Sequence, residues 1–231
     1  MSFTRRSVAL IIPAYNEAAV IGACLAALPS DVYRQVIVVD NGSSDATAAL
    51  ARAAGAQVLS EPRRGYGQAC LSGLAILQPE IDVIVFMDAD LSDDPAEVHL
   101  LLAALEAGAD LAVGARGRRA LSGALSPHQR FGNWLAASLI RWRWGVACSD
   151  LGPFRAIRRR ALEQLGMRDR NYGWTIEMQA RAARLGLHMV EVDVAYRRRW
   201  AGKSKVAGTV KGSILAGVKI VATWARVAAG G

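Results

Sequence analysis

The chain has 231 residues, 52% of them hydrophobic, a length that suits one large domain around a single core and argues against a second full domain. No run of roughly 18 apolar residues is free of charge, so no membrane-spanning helix is expected. The net charge of +8 is unevenly divided: residues 1–114 carry 6 Arg and no Lys against 14 Asp or Glu (−8), and residues 115–231 carry 22 Lys or Arg against 6 Asp or Glu (+16).

An acidic half can hold a metal cation, and a basic half attracts phosphates, nucleic acid or an anionic membrane surface. Met1 to Arg6 lacks the order of a secretory signal, and the protein is expected to stay cytoplasmic. Cys24, Cys70 and Cys148 are odd in number and far apart, which fits neither disulfides nor zinc; they read as packing residues. His99, His128 and His188 are isolated and read as structural or surface histidines.

In chain order, short β-branched runs alternate with Ala-rich amphipathic stretches, the rhythm of a parallel sheet with helices on its faces. Strands are predicted at Val8 to Ile12, Val36 to Asp40, Gln57 to Leu59, Val83 to Met87 and Leu111 to Val113. Asp94-Pro95-Ala96-Glu97 opens a helix that Gly108 closes. The second half predicts a helix from His128 to Trp144, an irregular Cys148 to Arg155, a helix from Trp174 to Leu185 and a strand from His188 to Ala195. Arg158-Arg159-Arg160 reads as a solvated helix face. All six tryptophans fall in the basic half, either as core or as an interfacial surface in which indole rings sit beside guanidinium groups. After Gly208 a last helix gathers Val210, Ile214, Val218, Val221 and Ala225 on one face and Lys211, Lys219 and Arg226 on another, and it could lie on a bilayer or dock on the domain.

Ligands of an open parallel sheet bind beyond the carboxyl ends of its strands. Three exits carry the chemistry: Pro13-Ala14-Tyr15-Asn16-Glu17, Asp40 to Asp45, and Asp88-Ala89-Asp90. Asp40 and Glu17 are candidate nucleotide contacts, because a carboxylate accepts from a ribose hydroxyl or a base N–H; Asp45 reads as a helix cap. Asp88 and Asp90, two apart on an extended segment, share a face and together suit magnesium or manganese bridging a diphosphate, whereas Asp93 and Asp94 read as acids at a helix start. The backbone of Arg63-Arg64-Gly65-Tyr66-Gly67-Gln68 could approach phosphate, although it lacks the P-loop and dinucleotide spacings.

The runs Val8 to Glu17, Val38 to Asp45 and Met87 to Asp90 together resemble the inverting glycosyltransferase family 2 with its GT-A fold. Asp150 to Arg155, Tyr172 to Glu177 and Arg199 to Lys205 are similar to the polyprenyl-phosphate sugar synthases, the dolichyl-phosphate mannose synthase group; the likeness runs from about residue 8 to residue 215. It implies an α/β, single, Rossmann-like, mostly parallel sheet over 1–207, with a donor half (about 1–114), a basic acceptor half (about 115–207) and an amphipathic helix over 208–231. It also implies that Pro13, Tyr15, Glu17 and Asp40 surround the nucleoside, with Gly65 and Ala89 beside the donor. Asp88 and Asp90 would carry Mg2+ or Mn2+ and the diphosphate, and Arg116, Arg130, Arg199 and Lys205 would meet the donor diphosphate and the acceptor phosphate. Ser92 stands where that group has Gln, and the membrane helices of many relatives are not seen. The implied reaction moves a hexose from a UDP- or GDP-sugar to a polyprenyl phosphate, on the inner face of the cell membrane. A phosphate acceptor is already charged and needs no strong base; a hydroxyl acceptor would need one, with Asp150 or Glu177 as candidates. A nucleic-acid binder of this basicity would not need Asp88 or Asp90, and no recognition helix or RNA motif is present.

Overall fold

A computed structural model of the chain describes residues 7–200 and 210–230. Its centre is a seven-stranded sheet of order β3-β2-β1-β4-β6-β5-β7. The strands are β1 (Val8–Ala14), β2 (Gln35–Asp40), β3 (Gln57–Ser60), β4 (Val83–Phe86), β5 (Leu111–Ala115), β6 (Arg155–Arg158) and β7 (Met189–Asp193). All neighbouring pairs are parallel except those of β6, which runs antiparallel between β4 and β5. Six of the seven match the predicted strands to within a few residues.

Burial on both sheet faces explains why β1 reads as an unbroken apolar run. Val8, Leu10 and Ile12 pack under α1 (Ile21–Ala26), α2 (Thr47–Ala53) and α4 (Val98–Glu106), and Ala9 and Ile11 pack under α3 (Tyr66–Leu74), α6 (Arg159–Leu165) and α7 (Trp174–Arg184). Asp94 accepts from the amide of Ala96 at 3.1 Å and opens the turn of 3-10 helix, Pro95–Glu97, that leads into α4. Cys24 and Cys70 are fully buried packing residues.

The sequence pattern missed β6, which begins at Arg155 where the stretch read as irregular ends, because it is bounded by arginines. Arg155 is fully buried, and its guanidinium is spent on the carbonyls of Leu151, Gly152 and Thr175. The solvated face expected for Arg158 to Arg160 holds only for Arg160. Arg158 donates to the carbonyls of Leu105 and Ala109 at the end of α4, and Arg159 to those of Gln78, Pro79 and Ile81.

A third apolar cluster joins α5 (Pro127–Trp144), α7 and α8 (Val210–Ala228) through Ala136, Ile140, Ile176, Ala180 and Val227. The helix α8 therefore docks on the domain, but not by the expected face. Val218 and Val221 are exposed, whereas Lys219 and Arg226 turn inward to the buried carboxylate of Asp169. A buried charge left without a partner costs more than two exposed valines. The side chains of Val210, Lys211 and Ile214 lie outside the described ones. Among the tryptophans, Trp174 is core, and Trp134, Trp142 and Trp200 are exposed.

Candidate active site

Residues leaving β1, β2 and β4 converge at the carboxyl edge of the sheet. Asn16 turns the chain in the left-handed region (φ 51), where its short amide side chain is tolerated. It accepts from the amide of Ser44 at 2.8 Å and donates its own amide to Ser43 Oγ at 2.9 Å. Asp45 stands one residue before the N-cap of α2, Ala46, and is not itself the cap; it accepts from the amide of Thr47 and from that of Ala18, which ties the two exits together. Glu17 and Asp40 are largely buried on this edge, and Asp40 Oδ1 accepts from the Ser43 amide at 3.1 Å. The Arg64 guanidinium stacks 3.6 Å over the ring of Tyr15, close after Pro13.

The glycine-rich segment does a different job from the one expected of it. The Gly65 amide is committed to Asn41 Oδ1 at 2.8 Å, and a Cβ at Gly65 or Gly67 would collide with the carbonyl oxygens of Arg170 and Asp169. These glycines let two backbones touch; neither N–H nor space at Gly65 is left for a phosphate. Asn41, which no sequence signal set apart from its motif, closes the arrangement by donating to the carbonyls of Glu61 and Arg63.

Past β4, Asp88, Ala89 and Asp90 occupy the edge. Burial, then the charge of Asp90, pushes the Asp88 carboxyl well above its usual range, against the pull of Arg116 and Arg199. Asp90 Oδ1 accepts from the Ser92 amide at 2.9 Å, a bond made possible by Leu91 at φ 56. A left-handed non-glycine residue costs on the order of 1 kcal/mol and commonly marks a functional site. Arg199 bridges the acids, 2.9 Å from Glu17 Oε1 and 2.9 Å from Asp90 Oδ2. Asp93 corrects the reading as a helix-start acid: it is buried, paired through its backbone with Tyr196, and neither carboxylate oxygen has a hydrogen-bond partner among the described residues.

Among the described residues no group of three or more His, Cys, Asp or Glu side chains is built to hold a metal ion unaided. The two hard oxygen donors Asp88 and Asp90 fit Mg2+ or Mn2+ that takes its other ligands from water and phosphate.

On the basic side, Arg116 at the end of β5 is buried, lies 4.9 Å from the ring centre of Tyr196, and is gripped by Asp150. Asp150 also accepts from Asn133 Nδ2 at 2.6 Å. Burial alone would raise the Asp150 pKa, but the hydrogen bonds and charge of Arg116 outweigh it and hold the group below its usual range. So engaged, Asp150 is a poor proton acceptor. Glu177 is fully buried and accepts from Arg181 and the amides of Arg168 and Asp169, which removes it as a base as well. Beside Asp150 lies a cavity of about 460 Å3 lined by Arg130, Asn133, Trp134, Ser138 and Arg141 among others. Lys203 and Lys205 lie outside the described residues.

The sequence model of glycosyl transferase family 2 matches residues 9–166. An uncharacterized glycosyltransferase of Mycobacterium tuberculosis is 41% identical over 211 residues, covering 91% of this chain and 94% of that protein. The polyprenol monophosphomannose synthase of Mycolicibacterium smegmatis is 33% identical over 228 residues, 87% of this chain and 81% of that one. A crystal structure of glucosyl-3-phosphoglycerate synthase from Mycobacterium tuberculosis, in complex with Mn2+, UDP-glucose and phosphoglyceric acid, shares the expected GT-A fold with a TM-score of 0.79 at 24% identity, covering 97% of this chain and 80% of that one. With its motifs at the carboxyl edge of such a sheet and a family match across most of its length, the chain belongs to glycosyl transferase family 2 and is a glycosyltransferase.

Proposed function

We propose that the enzyme transfers a hexose, with inversion, from a UDP- or GDP-sugar to a polyprenyl phosphate. The observation that carries this reading is the position of Arg116. Its charge acts on Asp88 on the donor side, and its clamp, Asp150, lines the cavity that holds Arg130 and Arg141. Two anionic reactants approaching one anomeric carbon repel each other, and fixed cations between them offset that repulsion. An acceptor phosphate is charged at neutral pH, so the commitment of Asp150 and Glu177 to arginines is no handicap.

Asp88 and Asp90 would hold Mg2+ or Mn2+; when bound, the cation neutralises the departing nucleoside diphosphate. Tyr15, Glu17 and Asp40 would receive the nucleoside, and Arg130, in the cavity wall, would orient the acceptor phosphate, with the buried charge of Arg116 held beside the cavity by Asp150. The identity to a polyprenol monophosphomannose synthase supports the acceptor class, and the Mn2+ and UDP-glucose of the structural neighbour suit the donor site.

The enzyme would meet its lipid acceptor from the cytoplasmic face of the membrane. Among the described residues no helix is long and apolar enough to cross one. On α5, Phe131, Trp134, Ser138, Arg141 and Trp142 are all exposed along one stripe that borders the cavity, and Arg130, Arg141 and Arg143 stand on that helix without a single acid. Such a surface fits an anionic leaflet.

The purified protein, given a panel of UDP- and GDP-hexoses, Mn2+ or Mg2+ and polyprenyl phosphate, should add one hexose to the lipid by mass analysis. Glycosylation of a hydroxyl acceptor with none on the lipid phosphate would overturn the assignment.

A further inference from the structure

We infer that Asp169 is a positioning residue through which the docked helix α8 sets the geometry of the donor site. The inference rests on the donor-site reading above, and its starting point is a carboxylate with its two oxygens divided between two tasks. Oδ1 accepts from the amides of Asn171 at 2.8 Å and Gly173 at 3.2 Å, which shapes the 169–173 turn. Oδ2 accepts from Lys219 Nζ at 2.7 Å, Arg226 at 3.0 Å and the buried hydroxyl of Thr223 at 3.4 Å, all from α8. The group is 2% exposed, so each of these partners offsets a desolvation cost that would otherwise expel the charge.

The outer side of the same turn supports the glycine-rich start of α3. The carbonyl of Arg170 accepts from the Gln68 amide at 2.8 Å and that of Asn171 from the Gly67 amide at 3.3 Å. Gly65 and Gly67 pack against the carbonyls of Arg170 and Asp169 with no room for a side chain. Between them, Tyr66 begins α3 with its hydroxyl buried in the field of Asp88, and the Gly65 amide holds Asn41, the neighbour of Asp40. Two cations on α8 thus hold a turn, the turn holds the start of α3, and α3 borders both Asp88 and the β2 exit. Gly67 is needed because the two chain segments meet through backbone, which makes the link stiff.

The test is the double variant Lys219→Met/Arg226→Met, whose side chains are 35% and 42% exposed and whose loss leaves the sheet core untouched. Binding of UDP and of GDP with Mn2+, measured by calorimetry, should weaken about five- to twentyfold, and Lys219→Arg alone should keep near-parental affinity. Amide exchange at Gly67 and Gln68 in the nucleotide-free protein should quicken, a readout that a remote stabilising role of α8 would not single out. A double variant with a lowered Tm but nucleotide affinity within twofold of the parent, and unchanged exchange at those amides, would overturn the inference alone. Failure of the parent to bind either nucleotide would overturn the donor-site reading and this inference with it.

Discussion

Asp150 holds Arg116 at both ends, accepting from its backbone amide at 2.8 Å and from its guanidinium at 2.8 and 2.6 Å. Both residues are nearly inaccessible, and truncating one partner of such a pair leaves the other as an uncompensated buried charge. Asp150→Ala should therefore cost about 3–5 kcal/mol in urea denaturation. Asp150→Asn keeps part of the hydrogen bonding and should retain measurable transfer, slowed about tenfold to a hundredfold. Its pH–rate profile should keep the parental shape, because orientation and not proton transfer is impaired. Loss of a limb of that profile would instead make Asp150 a base.

Asp93, by sequence a helix-start acid, is instead buried on this edge. Burial, then repulsion from Asp88 and Asp90 against the attraction of Arg116, pushes its carboxyl well above the ordinary range. A carboxyl whose pKa rises on folding binds its proton more tightly in the native state, so its ionisation costs stability as pH climbs above about 4. Asp93→Asn removes that cost. Compared by denaturation in a chelator, the variant should show no advantage near pH 3.5 and gain on the order of 1 kcal/mol by neutral pH. An advantage that does not grow with pH would mean that Asp93 carries no strained charge.

Gly67 can be tested against a control within the same protein. A Cβ there would overlap the Asp169 carbonyl, whereas Gly22 in α1 has nothing within 4 Å of the added atom. Gly67→Ala should cost about 1–3 kcal/mol through forced backbone movement, and Gly22→Ala should stabilise by about 0.5–1 kcal/mol through helix propensity. Thermal or urea unfolding of the two variants checks both. Equal effects would show that the contact between α3 and the 169–173 turn yields easily.

Much of this architecture was legible because strands buried on both faces read as unbroken apolar runs: β1 and β4 are apolar throughout, β2 is apolar between Gln35 and Asp40, and Gly, Pro and Asp mark their exits. The acidic edge was legible for the same reason, since Asp40 ends β2, and Asp88 and Asp90 follow β4, where apolar runs have no other use for charge. What stayed hidden depends on pairs far apart in the chain. Arg155 disguises β6, because its compensation comes from carbonyls that folding alone brings together. The carboxylate of Asp169 reverses the face by which α8 docks, and nothing near Lys219 in sequence announces it. Gly65 looked like a phosphate loop because a glycine that admits a ligand and one that admits another backbone are the same letter.

The exposed stripe of α5 yields the last expectation. Phe131 and Trp134 are 59% and 62% exposed with ring centres 5.7 Å apart, so the pair leaves a large apolar area in water. A tryptophan at a headgroup interface keeps its polar edge wet and buries its rings, while neighbouring arginines meet lipid phosphate. Co-sedimentation with vesicles containing about 30% anionic lipid should hold the parent protein, and raising salt should weaken the electrostatic part over a Debye length that shrinks to about 3 Å at 1 M. Trp134→Ala should reduce binding severalfold even at low salt, because removing apolar insertion leaves the charges in place. Arg141→Gln/Arg143→Gln should instead weaken binding to anionic vesicles and leave the residual binding to neutral ones unchanged. Should both variants sediment like the parent, α5 is not the surface that meets the bilayer, and the exposed tryptophans need another partner.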